Sequence, residues 1–344
     1  MSARYLAVAL LFSLPPLTAE VLSGYSGHAT PLGVLTGVLI AGPLYGTVAV
    51  LIREVGVRAG LGWASILLLC GAFGLVQAGL IDQSLLEQAH FADSPYWTGL
   101  ATEVPGLGID VSQVLVFVGG HLMVTFATPI ALVEGLFPSL SGQPWLGRPG
   151  LALMGLLYLA AAALFCYELA VAPGLVGSPA ELIGVSAVVA ALVVTAFALP
   201  RRADRWHFAG ESSARAPHPV WVALVSLLAI GAHTILRGPE PVLGPLAWAW
   251  VAASLAVLIP LGYLLYRWSR LVGWGRAQIL AVALAPLTCT ALLAFAVPPV
   301  GTGDWSAKLL SNTVVLMALL ATFGWAWARS ERRRSPAGTI PRAV

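Results

Sequence analysis

Long apolar stretches recur along the whole of this chain. There are about ten of them, each close to the roughly 20 helical residues that cross a bilayer core about 30 Å thick. Because lipid offers no hydrogen-bond partner to an exposed backbone amide, such stretches can cross only as helices. The sequence therefore predicts an all-α, polytopic bundle of about ten transmembrane helices.

The composition agrees with this class. Hydrophobic residues make up 58% of the 344 positions and charged residues only 10%, against about 25% charged residues in soluble domains. A soluble chain with this composition could not cover its own apolar surface. We therefore predict a single transmembrane domain over residues 1–328, which the polar loop 200–219 could divide, and a basic cytoplasmic tail at 329–344.

The predicted helices cover residues 4–22, 32–52, 61–80, 111–136, 150–171, 180–199, 219–236, 243–266, 277–299 and 309–328. The first of them also resembles a signal peptide, since Arg4 precedes an apolar run. We favour a retained helix kinked at Pro15 and Pro16, because Glu20 follows at once and no A-x-A site precedes it.

Basic residues are concentrated in alternate gaps between the apolar stretches. Of the 18 lysines and arginines, only Arg237 and Lys308 fall in the other set of gaps. By the positive-inside rule, this bias predicts that both termini are cytoplasmic, in a plasma-membrane protein. It also explains the net charge of +3, so we expect the lipid bilayer as partner and no nucleic acid.

The longest predicted outer loop, 81–110, contains acidic and aromatic residues but no lysine or arginine. It could fold over the outer face as a lid or be an ordinary solvated connector. Glu87, His90 and Asp93 are three residues apart, a spacing that one helical face could offer to a metal. That spacing is common by chance, and no CxxC pattern exists, so we predict no metal site.

His121 is the best candidate for a functional group inside the bilayer. It lies about ten residues, or about 15 Å, into the fourth helix. Thr125 and Thr128 share its face, and Pro129 can kink the helix and free a carbonyl group. The Gly119–Gly120 pair would permit close helix packing. His121 could relay protons or bind a ligand, or it could simply join two helices by a hydrogen bond.

Other polar residues fall in the predicted outer half of the bilayer, with Asp82 just at its edge. Together with His121, they predict a hydrophilic pocket that opens outward. Glu20 and Glu168 could instead simply reach the outer headgroups, and scattered polar residues of this density occur in most large helical membrane proteins. These further candidates are Gln77, Glu20, Glu168, His233 and Asn312.

A charge cluster is predicted at the inner face, formed by Arg53, Glu54, Arg58 and Glu134. Glu54 and Arg58 are spaced i,i+4, which stabilises a helix end, and Glu134 could pair with either arginine. The simplest interpretation is a cluster that fixes the topology.

Several segments resemble an uncharacterised family of prokaryotic multi-pass membrane proteins. They are LTAEVLSG, LIREVGVRAGLGWASILLLCGAFGLVQAGLIDQSL, GHLMVTFATPIALVEGLFP and PWLGRPGL, all in the first part of the chain. This resemblance implies a multi-pass membrane protein and no particular activity. Relatives often have two adjacent glutamates where this chain has Gln77 and Ala78.

A fainter similarity is to intramembrane proteases of the CAAX-processing and abortive-infection type. Glu54 and Arg58 form an ExxxR motif, and Phe117 with His121 forms FxxxH, although Arg53 stands where a glutamate is usual. This similarity implies an intramembrane metalloenzyme.

Three functions therefore remain open. The first is binding or transport of a small solute through the outward pocket, which helices broken at Pro15, Pro43, Pro129 and Pro286 favour. The second is an intramembrane enzyme, protease-like or lipid-modifying, centred on His121; two carboxylates beside His121 would favour it. The third is assembly with a membrane protein partner, which a flat apolar groove would favour. The sequence identifies no cofactor.

Overall fold

The computed structural model describes residues 2–22, 31–86, 102–104, 107, 109–171, 177–201, 214–236, 246–297 and 304–332. Within these ranges, ten helices are long and apolar enough to span a membrane, which confirms the predicted all-α polytopic bundle. These spans are α1 (Ala3–Val21), α2 (Leu32–Arg58), α3 (Trp63–Ile81), α4 (Val111–Leu136), α5 (Arg148–Val171), α6 (Pro179–Ala198), α7 (Pro219–Leu236), α8 (Ala247–Trp268), α9 (Arg276–Leu293) and α10 (Trp305–Arg329). The helix of α10 continues to Arg332. The cytoplasmic placement of both termini stays a prediction.

Helix α4 is the central element. Its inner half packs against α1, α2 and α3 in a core that includes Leu11, Val48, Leu69 and Ile130. On another face it packs against α9 and α10, where Leu132 and its neighbours form a second core. Helices α7 and α8 lie behind α9, while α5 packs on α2 and α6 on α3. Because α4 contacts both groups of helices, a substitution in α4 affects the packing on both sides of the bundle.

A short antiparallel hairpin precedes α4, formed by β1 (Glu103–Val104) and β2 (Ile109–Asp110). The fully buried Asp110 caps α4 by accepting hydrogen bonds from the Gln113 backbone N–H at 3.0 Å and the Thr102 hydroxyl at 2.8 Å. A short 3₁₀ helix, Pro138–Leu140, follows α4. The predicted Glu87, His90 and Asp93 spacing lies outside the described residues, as do most of loop 200–219 and tail residues 333–344.

Four of the transmembrane helices contain a π-helical turn within their described residues. These turns are Leu17–Val21 in α1, Gly42–Gly46 in α2, Gln77–Ile81 in α3 and His121–Ala127 in α4. Proline directly precedes the first turn, lies within the second and soon follows the fourth. Because proline removes a backbone donor and clashes with the preceding turn, it favours such a break in the α-helical pattern.

Candidate functional site

Polar side chains from the four π turns approach one another between the middle of the bundle and its predicted outer end. Each contributes one polar side chain, and Asp82 directly follows the third turn. We call this group the outer cleft: Glu20, Tyr45, Gln77, Asp82 and His121. The Gln77 amide donates to the Asp82 carboxylate at 3.1 Å. That carboxylate lies within electrostatic range of both Glu20 and His121. The cleft therefore combines two acids, an amide, a phenol and an imidazole.

The imidazole of His121 is held by neighbouring side chains. Its Nδ1 lies 3.2 Å from the Thr125 hydroxyl, one turn further along α4. Its ring centroid is 5.5 Å from that of Tyr45 and 6.1 Å from that of Phe126. Within the described part of the chain, Nε2 forms no hydrogen bond. His121 therefore has one nitrogen fixed and one nitrogen available to a ligand.

Open space borders the outer half of α4. A Cβ atom built on Gly119 or Gly120 would meet no heavy atom of the described residues within 4 Å. No described helix therefore uses the close approach that this glycine pair would permit. His121 is only half-buried despite its depth, whereas Thr125 and Phe126 are buried. His121 is therefore partly accessible, whereas the residues one turn further along α4 are enclosed.

Two of the π turns, those of α1 and α4, are hydrogen-bonded to one another at the floor of the cleft. The Thr18 hydroxyl in α1 donates to the Val124 carbonyl in α4 at 2.9 Å. A Cβ on Gly74 in α3 would lie 3.0 Å from the His121 Cβ, so α3 approaches the histidine closely. The relative positions of the polar groups are therefore fixed by helix packing.

A second polar group lies at the opposite end of the same helices. We call it the inner clamp: Arg53, Glu54, Arg58, Glu134 and Trp145. The Arg53 guanidinium donates to Glu54 and to Glu134, each at 2.7 Å, and lies 3.5 Å from the centroid of the Trp145 ring. Glu54 is fully buried, and Arg53 is almost so. The clamp therefore joins α2 to α4 through a charge network whose central Arg53–Glu54 pair is buried.

The inner clamp also fastens the connector between α4 and α5. Glu54 accepts the Trp145 backbone N–H at 2.8 Å and lies 3.3 Å from Arg58, which also donates to the Leu146 carbonyl. Arg53 donates to the Gln143 carbonyl at 2.8 Å. These contacts satisfy both buried charges and hold the connector against α2.

A model of an uncharacterized membrane protein family matches residues 9–229. The chain belongs to this family. No curated protein and no solved structure matches the chain. The family match runs from α1 into α7, so both the outer cleft and the inner clamp lie inside it, and it confirms the predicted resemblance to an uncharacterised multi-pass family.

The similarity to CAAX-type proteases is not shown by the family match. In this family member, Glu54 and Arg58 belong to the inner clamp, whereas His121 lies in the outer cleft about thirteen residues, or about 20 Å, from Glu134 along α4. The residues of the two motifs therefore do not meet. Within the described residues, no group of three or more histidine, cysteine, aspartate or glutamate side chains could hold a metal ion.

The other outer-half candidates lie elsewhere in the bundle. Glu168 is exposed on α5. His233 is buried between α7 and α8, where its Nδ1 contacts the Ser254 hydroxyl. The buried Asn312 amide donates to the Ala294 carbonyl at 2.9 Å, joining α10 to the end of α9. The structure therefore brings together only three of the six predicted pocket residues, those in the first four helices.

Two residues of these sites were missed by the sequence interpretation. Tyr45 lies in the short stretch Gly-Pro-Leu-Tyr-Gly, where the proline signalled an irregular helix but nothing marked the direction of the ring. Trp145 lies in PWLGRPGL, one of the segments that carried the family resemblance. That resemblance was the available signal for Trp145.

Proposed function

We propose that this protein binds a small solute in the outer cleft, and that the cleft is one end of a transport path across the plasma membrane. One observation carries the proposal: polar side chains from four π turns gather around a partly exposed His121, with buried residues beneath it. π turns in helices are frequent at functional sites. Irregular backbone at membrane depth is tolerated where it lines a cavity, and transporters build their solute sites in this way.

The inner clamp supports transport rather than a blind pocket. It closes the opposite end of α2 and α4, the two helices that contribute Tyr45 and His121 to the cleft. A path open outward and closed inward is one of the two states that alternating access needs. With both termini in the cytoplasm, the clamp lies on the cytoplasmic side.

An enzyme is the second candidate, and one observation favours it. His121 lies in one cluster with the two carboxylates Glu20 and Asp82, a combination able to move protons. A lipid-modifying enzyme would convert phosphatidylethanolamine vesicles containing the protein, and His121→Gln would abolish the product seen by mass spectrometry. A flat apolar groove would have favoured assembly with a partner, but polar side chains line the cleft.

The solute pocket predicts stabilisation by ligand. We expect one of methylammonium chloride, sodium acetate, glycine or glycerol to raise the thermal stability of the detergent-purified protein, by about 1.4 kcal/mol at ten times its Kd. His121→Leu should abolish this shift, because it removes the free imidazole nitrogen. Glu103→Gln, at an exposed acid on β1, should retain it. The proposal of a solute pocket is contradicted if none of the four solutes stabilises the wild-type protein.

A further inference from the structure

We infer that the solute is a small organic cation, an amine or ammonium compound, whose charge is balanced by Asp82 and whose body lies against the Tyr45 ring. This inference rests on the proposed solute pocket and names the class of ligand that it takes. It draws on the partners of Asp82 and on the aromatic rings of Tyr45 and His121.

The Asp82 carboxylate has only neutral partners. It accepts the Gln77 amide at 3.1 Å and the Ser84 backbone N–H at 3.0 Å. Within the described residues, it forms no ion pair with a lysine or arginine. A half-buried carboxylate is costly unless its charge is compensated, and neutral donors do this only in part. A cationic ligand would supply the missing charge.

The surrounding field also favours a cation over an anion. Glu20 lies within electrostatic range of Asp82, so a bound anion would face two carboxylates. In the inner clamp, by contrast, every buried carboxylate is paired with an arginine. Besides Asp82, the predicted outer loop carries four acidic residues and no lysine or arginine, which would concentrate cations near the opening.

Aromatic rings supply the second half of the recognition. The rings of Tyr45 and His121 are 5.5 Å apart and tilted by 40° to one another. The face of an aromatic ring attracts an ammonium group within about 6 Å. In the described part of the chain, the Tyr45 hydroxyl makes no hydrogen bond, so it can also accept an N–H from an amine. Tyr45 and His121 are both only partly buried, so a small solute can reach this face.

The test compares solutes of matched size and variants of matched shape. Methylammonium chloride should stabilise the purified protein, and sodium chloride at equal ionic strength should not. Asp82→Asn should weaken methylammonium binding about tenfold or more, because a charge-assisted hydrogen bond is lost. Tyr45→Leu should weaken it about fivefold, whereas Tyr45→Phe, which keeps the ring, should stay close to the wild type. Glu103→Gln removes one outer negative charge away from the cleft and should change little.

The possible outcomes distinguish a failure of the cation inference from a failure of the proposed solute pocket. Stabilisation by acetate, glycine or glycerol but not by methylammonium would contradict the inference of a cationic solute. It would leave the proposed solute pocket standing. Methylammonium binding that is unchanged in Asp82→Asn and in Tyr45→Leu would also overturn the inference, since the cation would then bind elsewhere. A protein that none of the solutes stabilises would contradict both proposals.

Discussion

Replacing Arg53 with methionine should lower the free energy of unfolding by about 3–5 kcal/mol, the cost of breaking a buried ion pair by removing one partner. The substitution leaves Glu54 fully buried without its strongest partner and deprives Glu134 of its only ion pair among the described residues. Methionine keeps a long side chain against Trp145, so the loss reports charge more than volume. The measurement is unfolding of the purified protein in mixed micelles with increasing dodecyl sulfate, followed by tryptophan fluorescence.

Arg58→Met is the matched control for this experiment. Arg58 also pairs with Glu54, but its side chain is 37% exposed and the contact is 3.3 Å long. An ion pair that water can reach contributes about 1 kcal/mol or less. A cost of the same size for the two substitutions would contradict the view that the inner clamp is held by its buried arginine.

Gly46→Val should separate α1 from α2 and cost about 3 kcal/mol, the upper part of the usual range for overpacking a core. A Cβ on Gly46 would lie 2.0 Å from the Phe12 carbonyl oxygen, so the two backbones must move apart. The backbone of Gly46 has φ −66°, which any residue adopts, so the cost is purely steric. Unfolding in mixed micelles measures it, together with the yield of folded protein.

Gly37→Ala provides the control on the same helix. A Cβ there would meet nothing within 4 Å, and alanine is the better helix former by about 1 kcal/mol. We therefore expect Gly37→Ala to be neutral or slightly stabilising. If Gly46→Val were equally harmless, the close crossing of α1 and α2 would be wrong, and Tyr45 would lose its fixed position in the outer cleft.

The depth of each polar residue could be predicted from the sequence, but its rotation about the helix axis could not. Helix length and hydropathy place Gln77, His233 and Asn312 in the same half of the bilayer. Only Gln77 lies in the outer cleft, because the directions of α7 and α10 depend on which helices they pack against. A single sequence carries no record of those packing partners.

The π turns were likewise only partly predictable. Proline marks three of them, since it disrupts the α-helical pattern wherever it occurs. The turn at Gln77–Ile81 contains no proline and forms in the packed bundle, where Ala78 and Gly79 are buried. A π turn redirects the side chains that follow it, so counting along a regular helix would misplace them. This is why Tyr45 was missed although Pro43 was recognised.

The central claim is a cleft that is open to the outside and reaches His121 along α4. Accessibility of single cysteines tests it most directly, in a background where Cys70, Cys166 and Cys289 are replaced by alanine. His121→Cys, at the partly exposed position in the outer cleft, should react in intact cells with a membrane-impermeant cationic thiosulfonate. Ser139→Cys, exposed on the connector held by the inner clamp, should react only after the membrane is permeabilised. An unreactive His121→Cys, or labelling of Ser139→Cys from outside, would contradict the account.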